Sequence, residues 1–391
     1  TATAGKITQT TADPDNIIFA DALYLSADEG TSSLTNANEI NHLAGDFTAA
    51  NDAGLTLAVD RSLEIDRVSV TPLSADASSA LGAVTTGSVD QHDGLIATGG
   101  TVVLTVDGDG AQADLTQTAD GLVQVEALQV NLPDGALTLE NASNQIDTIA
   151  ANLSTGNRDF GLRNAGAMTV GTVNSLNGIS LGSGGDVRIA LGTGELTLEQ
   201  AIATSGDGNL DLRAGGDIAF TPAGSFTNSL STDTGTVQLI AGGAITRQGG
   251  TTDIDTTGAV RLEAASGIGS STDRLVINNV STLAASGGSG DVWISQTGST
   301  NLTIGTVAAL NDDWLAGPTV ASLSGVATSS GDASIALDLD GGDLVITEVV
   351  SAHGSGDVDL RTASGGDIAI QNHASASGLV QSELGTVQLI A

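Results

Sequence analysis

With 391 residues, 46 acidic against 11 basic side chains and a net charge of −35, the chain has too few Lys and Arg to build a basic patch. Nucleic acid and anionic membrane surfaces are therefore disfavoured as partners. The absence of Cys excludes disulfides and thiolate metal sites, and aromatics at 2 % beside 52 Gly exclude a compact core built on large rings.

Val, Leu, Ile and Ala hold the apolar content at 40 %, enough for an interior that is thin and long. In chain order, the opening TATAGKITQT has no basic region followed by an apolar one, so any export signal is expected to have been removed or to lie outside this segment. No stretch approaches the roughly 18 apolar residues of a membrane span. Short alternating segments then recur: VVLTV at 102–106, LTLE at 137–140, VRIAL at 187–191, LDLR at 210–213, VQLI at 237–240, VRLEA at 260–264, VWIS at 292–295 and VDLR at 358–361. Each reads as a strand with period two, apolar inward and polar outward. Gly-Asp or Gly-Thr commonly precedes them, as in GDV, GDI and GTV; Gly supplies a positive φ and Asp satisfies nearby backbone donors.

The segments belong to longer repeats. SGDGNLDLRAGGDIAF at 205–220 matches SGDVDLRTASGGDIAI at 355–370, and TVQLIA follows each, at 236–241 and at 386–391. Upstream, MTVGTVNSLNG at 168–178 resembles LTIGTVAALND at 302–312, with loops inserted or deleted between matching strands. In the N-terminal third, ITQTTAD at 7–13 resembles LTQTADG at 115–121, and LTNANEINHLAGDF at 34–47 resembles LENASNQIDTIAANL at 139–153. The expected organisation is one continuous segment, 1–391, in approximate units 1–91, 92–241 and 242–391, belonging to a longer chain or filament.

The hairpin pattern and bulky core of a sandwich, and the closing aromatics of a propeller, are missing. Stacked small aliphatics predict an all-β, right-handed parallel β-helix, a β-solenoid rod. At about 25 residues per coil it would hold about 15 coils. The motifs GDVRIAL, NLDLRAGGDIAF, GAITRQGG, VRLEAASGIG and LTLENASNQIDTIA resemble the filamentous haemagglutinin-like large exoproteins of two-partner secretion and the related autotransporter passengers. That resemblance implies a secreted, cell-surface adhesin or extracellular filament and not an enzyme, with host or cell-surface glycans and proteins as partners. TVQLIA is the middle of a unit and would leave an apolar edge, so end-to-end stacking of the chain on itself is also expected.

Candidate chemistry is sparse. Asp107 and Asp109 in DGDG, with Asp338 and Asp340 in LDLDGGD, could offer oxygens to Ca²⁺, although the tandem calcium nonapeptide is not met. The same pairs, and Asp312 and Asp313 beside Trp314, are the carboxylates that a polysaccharide lyase or hydrolase would need; solvated turn acids are the plainer reading. His42, His92, His353 and His373 are widely separated and form no ligand spacing, so no transition-metal site is expected. Trp293 lies in a strand, and Trp314 lies in an irregular stretch where it could stack on a glycan.

Overall fold

The computed structural model describes residues 6–9, 16–27, 30–47, 53–70, 73–75, 84–86, 90–108, 111–153, 156–222, 228–310, 320–363, 365–373, 376–377 and 379–391. Among these there is no helix, and parallel strands stack as a β-solenoid of about 13 turns. Asp109, Asp312, Asp313 and Trp314 lie outside the described residues. The chain divides into two compact units, Thr1–Asp147 and Thr148–Ala391.

In the second unit a coil carries three short strands, such as Leu210–Ala214, Ile218–Phe220 and Asn228–Ser231. The next coil repeats them as Val237–Ala241, Ile245–Arg247 and Thr252–Asp255, and each strand pairs in parallel with its counterpart. Alternation fixes which side chains point inward, and the register then stacks like on like. Phe160, Val187, Leu210, Val237, Val260 and Leu283 form one apolar column; Leu162, Ile189, Leu212, Leu239, Leu262 and Ala285 form the next. All are buried. Each such side chain contributes roughly 1.5–3 kcal/mol by leaving water, so many small residues do what a few large rings do in a globule.

The matched segments LDLR/VQLI and VDLR/VQLI each form a pair of stacked strands. Leu210 sits beside Val237 as Val358 sits beside Val387, and Leu212 beside Leu239 as Leu360 beside Leu389.

The Gly-Asp corners do more than turn the chain. Asp186 Oδ1 accepts the Asn209 N–H at 2.7 Å, Asn209 Oδ1 accepts the Thr236 N–H at 2.9 Å, and Asp217 Oδ1 accepts the Ala244 N–H at 2.7 Å. Asp291, Asp332 and Asp357 do the same for Ser334, Ser355 and Thr386 at 2.7, 2.9 and 2.7 Å. Many acids are thus staples from one coil to the next. A buried hydroxyl series reinforces another corner: Thr204, Thr232 and Thr256 donate to the carbonyls of Gly185, Gly208 and Gly235 at 2.8, 2.7 and 2.8 Å.

In the first unit, Phe19–Ser26, Thr31–Asp46, Gly54–Val59, Leu63–Ile65, Leu95–Val106, Leu115–Gln117 and Val123–Asn131 are joined by parallel pairings. Leu34, Leu57, Leu104 and Val130 make an inward column, and all four are buried.

The turn count falls below the expected 15 because coil length is uneven. Ordinary steps are 23 or 27 residues, as from Asp186 to Asn209 and from Asn209 to Thr236. Two steps are far longer, 43 residues from Asp291 to Ser334 and 52 from Ser62 to Asp114. Those steps divert chain into antiparallel excursions, and shorter ones at 172–177 and 372–377 fall in coils of 27 and 29 residues; among the described residues strands oppose each other in these excursions. Arg67–Val70 pairs with Asp90–Asp93, Leu73–Ala75 with Val84–Thr86, Thr172–Val173 with Leu176–Asn177, Thr306–Val307 with Leu323–Ser324, and Asn372–His373 with Ala376–Ser377.

Candidate functional site

The excursions leave where one strand of a coil is matched by two in the next. In the second unit Met168–Val170 runs into the hairpin 172–177, Gly178 then starts Ile179–Ser183, and both flanking strands pair with Gln145–Leu153. Leu302–Ile304 runs into the stem Thr306–Val307/Leu323–Ser324, Gly325 starts Val326–Ala327, and both flanking strands pair with Thr282–Ser286. Gly178 and Gly325 have φ of 63° and 75°, and a Cβ on either would run into the backbone carbonyl of Ala201 or Val349 in the next coil. Only glycine returns the chain to the stack there. Each closes the base of its hairpin by donating to the glycine that opened it, Gly178 N–H to Gly171 O at 2.8 Å and Gly325 N–H to Gly305 O at 2.9 Å. In the first unit the excursion 67–93 follows Leu63–Ile65 and ends at Gly94, whose N–H donates to Asp66 O at 3.2 Å.

The short hairpin, GTVNSLNG, and the long one, GTVAALNDDWLAGPTVASLSG, thus share one way of leaving and rejoining the stack. The long version acts on the rest of its unit. Its Leu310 carbonyl accepts from Arg213 at 2.6 Å and from Gln238 Nε2 at 3.2 Å, and the Leu310 N–H donates to Gln238 Oε1 at 3.1 Å. Ala321 O accepts from Arg261 at 3.3 Å. Beneath lies an outward-facing row that alternation assigns to solvent: Arg188, Asp211, Gln238 and Arg261, in register on successive strands. All four are buried. Asp211 holds the row together. Its Oδ2 lies 3.2 Å from Arg188 Nε and 2.8 Å from an Arg213 terminal nitrogen, and its Oδ1 accepts from Gln238 at 2.7 Å.

A second polar group sits at the excursion corner of the first unit. Leu63 and Ile65 point inward, so Glu64 and Asp66, two residues apart, face outward together. Register places His42 directly beside Glu64. His42 Nδ1 lies 3.1 Å from Glu64 Oε2 and 3.6 Å from Asp66 Oδ2. Among the described residues this is the group of His and acids whose ligand atoms all fall within 4.8 Å of one another. Nearby, Tyr24 stacks on His92 with ring centroids 3.6 Å apart, and burial pushes its phenol pKa up.

The acids singled out from sequence do not join that group. Asp107 is exposed at the end of Leu95–Val106. Asp338 faces outward, half-buried, and pairs with Arg274 at 3.1 Å; Asp340 is exposed in the following turn. Arg274 also lies over the Trp293 ring, 5.1 Å from its centroid. His353 Nδ1 is 2.9 Å from Gly331 O. Sequence reasoning missed the grouping of His42 with the LEID stretch at 63–66, since the spacing that joins them is a coil length and not a local motif.

One buried acid stands apart. Asp253 is fully buried, accepts the Val276 N–H at 2.7 Å and meets Arg247 Nε at 2.8 Å. Burial outweighs both partners and pushes its carboxyl up to about 6.

No helix among the described residues is long and apolar enough to cross a membrane. No protein-family model, curated protein or solved structure matches the chain.

Proposed function

We propose that the chain is a structural segment of a secreted bacterial surface protein, a solenoid that carries excursions for adhesive contact and performs no turnover. The supporting observation is a shared kind of break: excursions from six residues to more than twenty emerge between two strands that both pair with one strand of a neighbouring coil, and parallel pairing resumes after each. A scaffold whose loops vary without disturbing its ladder suits display on a stiff support. The motif resemblance supplies the adhesive and extracellular part of this reading. End-to-end contact between copies of the chain belongs to this reading too; it would use Val387 and Leu389, which continue the Val358 and Leu360 columns.

The test replaces residues 68–92 by a two-residue Asn-Ser turn and compares both proteins on arrays of glycans and matrix proteins. Expected is an unchanged circular dichroism spectrum with loss of the parent's binding. Release of reducing or unsaturated sugar from a polysaccharide, lost in Asp338→Asn, would overturn the proposal. For self-contact, sedimentation of the parent against Leu389→Asp reads whether the apolar edge joins copies.

A further inference from the structure

We propose that His42, Glu64 and Asp66 form a binding site for a divalent transition-metal ion of the zinc type. Three observations carry the assignment. The first is spacing. Ligand atoms bound about 2.0–2.2 Å from zinc lie about 3.0–3.6 Å from each other, and His42 Nδ1 is 3.1 Å from Glu64 Oε2 and 3.6 Å from Asp66 Oδ2.

The second is the state of Nδ1. It is shielded from solvent and makes no hydrogen bond, although both carboxylate oxygens are near. A shielded polar nitrogen without a hydrogen bond is costly, and a cation held between it and the two carboxylates would give it a partner.

The third is how the acids are held. Asp66 Oδ1 accepts the Arg67 N–H at 2.7 Å and the Thr118 hydroxyl at 2.6 Å, which turns Oδ2 toward His42. Fixing the far oxygen of a ligating carboxylate in this way is typical of the outer shell of a metal site. The Arg67 guanidinium is engaged by Asp93 and by Asp120 at 3.5 Å. Among the described residues the ion pairs of Glu64 and Asp66 are those to His42. One imidazole with two carboxylates favours Zn²⁺ or Mn²⁺ over Ca²⁺ or Mg²⁺, which prefer all-oxygen shells. The half-buried setting leaves the remaining coordination positions to water.

The experiment is calorimetric titration of the full chain with ZnCl₂, beside His42→Ala, Glu64→Gln and the distant control Asp340→Asn. Expected is one saturable site in the parent and the control, weakened at least tenfold in His42→Ala and Glu64→Gln. Absence of a saturable site, or equal affinity in His42→Ala, would overturn the proposal. A readout on the parent alone guards against a variant that does not fold. In ¹⁵N-histidine spectra, Zn²⁺ should shift the Nδ1 resonance of His42; movement confined to His92, His353 or His373 refutes the site.

Discussion

Asp211 offers the sharpest test of the clasp under the long hairpin. Its side chain is 3 % exposed and faces Arg188, whose side chain is 4 % exposed. In Asp211→Ala the carboxylate leaves Nε of Arg188, and the guanidinium, on a side chain 4 % exposed, loses that charge partner. Breaking a buried pair from one side costs about 3–5 kcal/mol, far more than the pair itself contributes. Arg213, 14 % exposed, keeps its bond to Leu310 O. Arg188→Met in the Asp211→Leu background removes the buried charge together with its partner and should recover at least half of the loss. The assay is urea unfolding followed by Trp fluorescence and circular dichroism, with hydrogen exchange of the amides in Val187–Leu191 and Val237–Ala241 as a local readout. Asp211→Ala within about 0.5 kcal/mol of the parent would refute the reasoning, since that is the size of an ordinary surface substitution. A double variant as unstable as the single one would refute it as well.

Three further outcomes are expected. Asp253 has a folded-state pKa of about 6 against 3.8 when unfolded, so the folded chain binds its proton more tightly. The sign follows: stability is highest below the unfolded value and falls as pH rises through about 4 to 6, by about 3 kcal/mol in all. Urea midpoints at pH 4.5 and 7.5 should show the parent gaining on Asp253→Asn at the lower pH; a difference independent of pH would sink the assignment. Thr232→Val removes the hydroxyl that donates to buried Gly208 O and accepts the Gly235 N–H, and thermal melts should show a loss of about 1–2 kcal/mol. Gly235→Ala drives a Cβ into the backbone carbonyl of Gly208, so a loss of about 1–3 kcal/mol is expected in the same melts.

The strands and their parallel stacking were legible because alternation and repetition both act at short range. LDLR and VQLI name their own inward residues, and their recurrence as VDLR and VQLI marks the same pair of neighbouring coils, 27 residues apart in the first copy and 29 in the second. Burial on the outward face was not legible, and one pair of segments shows why. Asp211 and Arg213 in LDLR carry the same bidentate contact as Asp359 and Arg361 in VDLR. The first pair is covered by Leu310, 97 residues away from Arg213, while the Arg361 side chain is 47 % exposed. Identical local sequence therefore meets two environments, and the difference lies in the length of a hairpin far along the chain. The two-residue hairpin at 172–177, too, is hidden in a stretch that reads as one irregular strand. His42 escaped notice for a related reason: its partners are set by where strands cross the corner.

In-register stacking also sets a unit of heritable change. Excising residues 237–259 would bring Val260 into the place of Val237, Leu262 into that of Leu239 and Ala264 into that of Ala241. Every column would then meet an aliphatic of its own kind. A deletion one residue shorter would turn the following strand's inward set outward. Genes for such a chain are expected to lengthen and shorten by duplication or loss of complete coils, while breaks of the kind closed by Gly178 and by Gly325 accept foreign sequence of almost any size.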